Sequence, residues 1–207
     1  DRYTDETLPM RITVEELDPT SSQTVYEETI GDTHRYAAYA KHHVTPTFGS
    51  IEAAGQTLHY RLTPPAQING QHPTIVYVYG GPGAQKVRRD WGSVLVQLFA
   101  QRGYGVLELD NRGSTNRGSA FEAGLYKRMG SIEIDDQVLG TQILHSAAWA
   151  DPDRIGVFGH SYGGYMTLMC LAKAGHCFKA GVAVAPVADW RLYDSHYTER
   201  FMGLPAD

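Results

Sequence analysis

Cysteine is scarce: the 207 residues hold two, Cys170 and Cys177. If one helix runs through both, about two turns set them roughly 10 Å apart, beyond the reach of a disulfide. A helix end at Gly175 leaves a bridge open, and two separate, buried or half-buried thiols is the preferred reading. His176 beside Cys177 is poor geometry for one metal, so no zinc site is expected. Excess positive charge is also lacking. The formal net charge is −5, so nothing attracts nucleic acid or an acidic membrane surface. No apolar run is long enough to span a bilayer, and no signal peptide is visible. The chain opens with Asp1 rather than Met, which reads as a processed or excised piece and gives no localisation.

Hydrophobic residues make up 42% and charged residues 20%, a globular balance. The length suits one domain and a piece of a second. Residues 1–45 are polar and irregular, with Glu15-Glu16, Asp18-Pro19, Ser21-Ser22 and Glu27-Glu28. Short alternating pieces, Arg11 to Val14 and Thr24 to Tyr26, predict isolated strands that bury too little to stand alone. They read as the tail of a preceding domain plus a linker. Residues 46–207 form the second unit.

There, Ser50 to Ala54 and Thr57 to Leu62 flank Gly55-Gln56 and predict a hairpin. Pro64-Pro65 ends it. Thr74 to Tyr79 is a β-branched and aromatic strand. Val94, Leu95, Leu98 and Phe99 make a helical stripe, with Gly103 as a C-cap glycine. Tyr104 to Leu109 is the next strand. Val138, Leu139, Ile143 and Ala147 predict one helix, stopped by Asp151-Pro152. Ile155 to Phe158 is a short strand, Tyr162 to Ala174 a buried helix, and Lys179 to Ala185 a final strand, apolar on both faces as an interior strand is. The alternation predicts an α/β fold, a mostly parallel sheet with helices on both faces.

Gly159-His160-Ser161-Tyr162-Gly163 fits Gly-x-Ser-x-Gly between a short apolar strand and a buried helix, as a nucleophile elbow requires. Ser161 then sits at a helix N-terminus, where N–H groups and the dipole favour a developing oxyanion. A nucleotide-binding turn would want Gly-x-Gly-x-x-Gly or a Gly-Lys-Ser/Thr ending, and neither is present. Tyr79-Gly80-Gly81-Pro82-Gly83 follows the strand whose loop supplies the other oxyanion donor in this fold; an ordinary β-to-α turn explains it equally well.

A serine nucleophile needs a base, and the base an orienting acid. In α/β-hydrolases both follow the serine, in the order acid then histidine, on later strands. One convincing strand follows Ser161, so the later strands are expected to be missing. His176 falls at the far end of the serine's helix. His196 lies in an aromatic loop and is not favoured as the base, and His160 should pack rather than take the proton.

The run from Ala185 to Gly203, with Asp189-Trp190, Tyr193-Asp194 and Tyr197-Thr198-Glu199-Arg200, resembles the prolyl oligopeptidase family and its dipeptidyl peptidase IV branch. Gly159 to Met166 and Val78 to Pro82 match the same family in the same order. The resemblance covers residues 35–207. It implies an α/β-hydrolase catalytic domain with Ser161 as nucleophile. It implies an oxyanion hole from the Tyr79 hydroxyl and the Tyr162 backbone N–H. It implies a small pocket walled by Val187, Trp190, Tyr193 and Tyr197, for a proline or alanine before the scissile bond. An aromatic box of that kind buries a flat pyrrolidine. Asp194 is expected to orient its loop. The substrates implied are peptides with proline or alanine in second position, cut to release dipeptides, with no cofactor or metal.

The family's β-propeller is not in the chain, except as a remnant in residues 1–45, and the catalytic Asp and His are expected beyond residue 207. Propeller and C-terminal segment are the implied partners. A homodimer and an extracytoplasmic or membrane-anchored parent protein are left open by the same resemblance. His160 and His196 depart from the family's usual Trp and aliphatic residue. The rival readings are an esterase of the same fold and a non-catalytic fragment.

Overall fold

The computed structural model describes residues 2–15 and 22–204; Glu16, Asp18, Pro19 and Ser21 of the polar stretch lie outside them. β1 (Arg2–Tyr3), β2 (Arg11–Glu15) and β3 (Ser22–Glu27) pair antiparallel as a small sheet. Its Val14, Val25 and Tyr26 are exposed. Trp91 N–H donates to Thr4 Oγ1 (3.2 Å) and Arg89 pairs with Glu6 (3.0 Å), which ties this region to the larger sheet.

α1 (Ala37–Ala40) leads into the larger sheet. β4 (Thr47–Ala53) and β5 (Gln56–Thr63) form the expected hairpin. Its turn is Ala54-Gly55, one residue before the predicted pair, with φ of 49° and 75°. A two-residue turn between right-twisted strands needs positive φ at both positions. β6 (His72–Val78), α2 (Val94–Gln101) and β7 (Gly105–Leu109) follow. Then come α3 (Ser119–Glu122), α4 (Ile132–Gly140) and β8 (Ala150–His160). α5 (Tyr162–Lys173), β9 (Phe178–Val184) and α6 (Ser195–Met202) complete the described chain.

The six strands run in the order β4-β5-β7-β6-β8-β9. β7, β6, β8 and β9 are parallel, and β4 and β5 add antiparallel at one end. Val76, Val78, Leu107 and Val157 point to one face and pack with Ile134 of α4 and Met166 and Cys170 of α5. On the other face, Phe99 of α2 meets Phe158 (5.7 Å between ring centroids), which also meets Tyr77 (5.2 Å). Helices thus cover both faces, as the alternation predicts.

Two local expectations differ. The stripe from Val138 to Ala147 is not one helix: α4 ends at Gly140 and a 3₁₀ segment covers Thr141–Ser146. Hydroxyls bond back to carbonyls three residues earlier there, Thr141 to Val138 (2.7 Å) and Ser146 to Ile143 (2.8 Å), which competes with α geometry. Asp151-Pro152 does not separate helix from strand, because β8 already begins at Ala150, paired with His72. The register shifts between His72 and Thr74, where a proline without an N–H can be carried. α5 stops at Lys173, so Cys177 lies beyond it; both cysteines are free thiols. β9 pairs with β8 along one edge and with no described strand along the other, and Val182 is 58% exposed.

Candidate active site

β8 delivers the chain to Ser161, which has φ 60° and ψ −117°, and α5 leaves from it. That conformation is costly for any residue with a Cβ and persists only where the surroundings enforce it. The enforcement is visible. A Cβ at Gly159 would run into the Gly163 backbone, one at Gly163 into the Val78 carbonyl, and one at Gly164 into Pro186 and the Val184 carbonyl. Only glycine lets strand, helix and neighbouring strands pass this closely. Ser161 N–H donates to Val184 O (3.0 Å), pinning the elbow to the end of β9. Tyr162 is the first residue of α5, so its N–H is among those without an intrahelical acceptor.

Tyr79 follows the end of β6, next to the elbow in space. Its ring lies 5.9 Å from that of Tyr162. Gly80 turns the chain with φ 79°, and Gly81 lies flat against the Tyr162 ring, where a Cβ would collide. Burial, reinforced by the neighbouring Tyr193, pushes the Tyr79 hydroxyl pKa above its ordinary value. It therefore remains an O–H donor at neutral pH.

The expected pocket residues are gathered beside these two. Trp190 stacks near-parallel with Tyr197 (6.0 Å) and meets Tyr193 edge-on (5.9 Å), Tyr193 meets Tyr197 edge-on (5.7 Å), and Tyr162 lies 5.6 Å from Trp190. Val187 packs on the same core. Burial raises the Tyr197 pKa as well, with Tyr79 next among the causes. Asp194 caps α6 by accepting from Tyr197 N–H (2.9 Å), and so orients the segment that carries Tyr197. Asp189 caps the 3₁₀ turn Trp190–Leu192, and its pairing with Arg191 holds its carboxyl down at about 2. Two aromatics that fall within the sequence motifs but carry no expected role there extend the cluster: Tyr165 meets Trp190 (5.2 Å) and Phe201 meets Tyr197 (4.8 Å). Tyr165 falls one turn after Tyr162 on α5, a spacing that would have placed it there.

No described histidine hydrogen-bonds the Ser161 hydroxyl. His160, His176 and His196 are exposed. His72 bonds Gly103 O (2.9 Å), His34 pairs with Glu28 (3.1 Å) and His43 stacks on Trp91 (4.1 Å). Among the described residues, no three His, Cys, Asp or Glu side chains converge as metal ligands would.

Behind the elbow lies a polar layer that sequence reasoning missed. Glu133 on α4 is fully buried. One of its oxygens accepts from the Gly130 N–H and the Tyr162 hydroxyl (3.0 Å), the other from the Ser131 N–H (2.9 Å). Burial raises its pKa against those donors. Gln137, one turn on, donates to Asn111 Oδ1 (2.9 Å) and Leu109 O (3.2 Å). Asn111 donates to the carbonyls of Gly80 (2.9 Å) and Arg112 (2.8 Å). Asp136 between them takes the Arg112 guanidinium (2.7 Å) and backbone N–H (2.8 Å).

Comparison with known proteins agrees with this architecture. Dipeptidyl peptidase 8 of Homo sapiens is 41% identical over 197 residues, covering 92% of this chain and 22% of that protein. Dipeptidyl peptidase 4 of Trichophyton equinum is 39% identical, over 72% of this chain and 20% of that protein. The chain therefore spans about a fifth of the length of these curated relatives. The crystal structure of Porphyromonas gingivalis dipeptidyl peptidase 4 superposes with a TM-score of 0.87 at 31% identity, over 99% of this chain and 29% of that one. The family model described as prolyl oligopeptidase family matches residues 92–207, more than half of the sequence and all of it from α2 onward, and the chain belongs to that family.

Proposed function

We propose that this chain is the nucleophile-bearing part of a serine exopeptidase that releases dipeptides from the N-terminus of peptides with proline or alanine in second position. The observation that carries the reading is the strained elbow at Ser161, set against the Tyr79 loop and the aromatic cluster in a chain 41% identical to a dipeptidyl peptidase. Ser161 Oγ attacks the carbonyl carbon of the second residue and gives its proton to a base. The carbonyl π electrons move onto oxygen, and the Tyr79 O–H and the Tyr162 N–H donate hydrogen bonds to the resulting oxyanion. Collapse expels the amine of the third residue with the proton from the base and leaves an ester on Ser161. Water then repeats the cycle and frees the dipeptide. Val187, Trp190, Tyr193 and Tyr197 hold the proline or alanine. No described histidine reaches Ser161, so the base and its acid are assigned to residues outside the described ones, in the chain order this fold uses. Residues 1–45 are assigned to a preceding propeller-like domain and linker, and residues 46–207 to the catalytic domain.

The test is made in the full natural chain. Ser161→Ala should abolish labelling by a fluorophosphonate and turnover of an unblocked X-Pro anilide without unfolding. Tyr79→Phe should lower kcat by about 10²–10³-fold with little change in KM, as loss of one oxyanion donor does elsewhere. Undiminished labelling of Ser161→Ala removes the nucleophile assignment. A preference for short-chain esters over X-Pro anilides turns the reading toward an esterase.

A further inference from the structure

The two groups assigned to the oxyanion hole come from chain segments far apart in sequence: Tyr79 after β6 and Tyr162 at the start of α5. Oxyanion stabilisation depends on donors already fixed where charge will develop, so something must hold these two at a constant separation. Their rings touch, yet rings in contact slide more freely than hydrogen-bonded groups. Both segments are also hydrogen-bonded, directly or through one intermediary, to α4, which supplies no group to the site itself.

Glu133 and Gln137 are four residues apart on α4, hence on one face of the helix. Glu133 accepts the Tyr162 hydroxyl proton at 3.0 Å. The same carboxylate is anchored by the Gly130 and Ser131 N–H groups, at the N-terminal end of α4. Lys173, in the last turn of α5, donates to Gly130 O at 2.6 Å and ties that loop to α5 a second time. Gln137 reaches the other segment through Asn111, whose Oδ1 takes the Gln137 amide and whose Nδ2 holds the carbonyl of Gly80, the residue after Tyr79. Glu133, Gln137 and Asn111 are all essentially inaccessible to water. A buried polar network of this kind is costly when half satisfied and specifies one geometry when complete.

We propose that α4 is a bracket for the oxyanion hole, with Glu133 positioning Tyr162 and with Gln137, through Asn111, positioning the Tyr79 loop. None of the three touches substrate; each is a positioning residue. The inference rests on the assignment of Ser161, Tyr79 and Tyr162 made above.

Tyr162→Phe tests one arm with little structural damage, because it removes the hydroxyl and keeps the ring packed on Gly81 and Trp190. Gln137→Met tests the other arm at similar volume. Each variant is measured in the full natural chain for kcat and KM on an X-Pro anilide, for affinity toward a peptide boronic acid, and for thermal midpoint. A boronate bonded to Ser161 places an oxygen where the oxyanion forms, so it reports the hole itself. Each variant should lose about tenfold in kcat, the scale of a small misplacement of a catalytic group. KM should stay within about twofold, and boronate affinity should fall by the same factor as kcat. Unchanged kcat and boronate affinity in a folded Tyr162→Phe overturns the bracket. So does a loss confined to the fraction of unfolded protein. If Gln137→Met fails to fold, Asn111→Ser reads the same arm. A wild-type protein inert to the boronate and to fluorophosphonate overturns the hydrolase reading, and the bracket with it; a responsive wild type beside unaffected variants overturns the bracket alone.

Discussion

The two faces of the large sheet are built from alternate residues of the same strands and have opposite characters. Under α4 and α5, Val76, Val78, Leu107 and Val157 are sealed from solvent. On the α2 face, an apolar hollow of about 700 Å³ opens between Leu95, Phe99, Tyr104, Phe158 and Val182. Toward β5, that second face turns ionic. Arg61 and Glu108 sit opposite one another in the β5–β7 register, with Lys86 3.4 Å from Glu108 and Asp90 2.8 Å from Arg61. The elbow, the Tyr79 loop and the polar layer behind them all belong to the sealed side. The difference teaches that this chain concentrates its close packing on the side that holds the elbow, where the buried charges of Glu133 and Asp136 are also fully hydrogen-bonded, while the opposite face tolerates open apolar surface.

The comparison breaks most directly at Leu107. Leu107→Ala empties the sealed face and should destabilise by about 2–5 kcal/mol, read from urea denaturation. A loss below about 1 kcal/mol would mean that the face relaxes freely. The ionic end of the other face yields a pH signature. Burial raises the Glu108 carboxyl above its ordinary 4.5, despite Lys86 and Arg61. A carboxyl whose folded pKa lies above its unfolded value contributes stability at low pH and loses it as pH rises through the folded pKa. Glu108→Gln should therefore gain on the wild type in unfolding free energy as pH climbs from about 4.5. A difference independent of pH would show that Glu108 titrates as it does unfolded. The smallest effect belongs to the open apolar side. Val182→Ser, at 58% exposure, should change stability by no more than about 0.5 kcal/mol. A loss several times larger would show that Val182 is covered in the natural protein.

Much of the sealed side was legible in the chain. A short apolar strand, a Gly-x-Ser-x-Gly turn and a buried helix lead to the elbow on pattern alone, because glycine at 159 and 163 has few other uses between such a strand and helix. Tyr79 was half legible: its loop reads as an oxyanion loop or as a plain turn, and resemblance rather than spacing favoured the first. The aromatic cluster is likewise carried by resemblance: the sequence reads the stretch around His196 as an aromatic loop, whereas Tyr197 lies on the eight-residue helix α6 and Trp190 on a 3₁₀ turn, elements too short for their pattern to stand out. The layer behind the elbow was illegible. Glu133 and Gln137 look like solvent-facing residues of an amphipathic helix. Only the tertiary approach of α5 and the loop after β7 turns them inward and satisfies them. The 3₁₀ turn at 141–146 was hidden for a related reason, because hydroxyl back-bonds leave the hydrophobic stripe intact while changing the helix beneath it.

The strand order carries a consequence for how the chain reaches this state. β4 and β5 are adjacent in sequence and can zip as a hairpin with little loop entropy to overcome. The free edge of β5, however, belongs to β7 and not to β6, which is synthesised first. A nascent chain that has emerged as far as β6 thus holds two strands, β5 and β6, that are neighbours in sequence but not in the sheet. In the finished sheet β7 lies between them, so β5 and β6 stand two strand spacings, about 9.6 Å, apart. The order of synthesis is therefore not the order of pairing. The β5–β7 pairing is non-local, and the loop entropy it must overcome precedes the contacts that reward it.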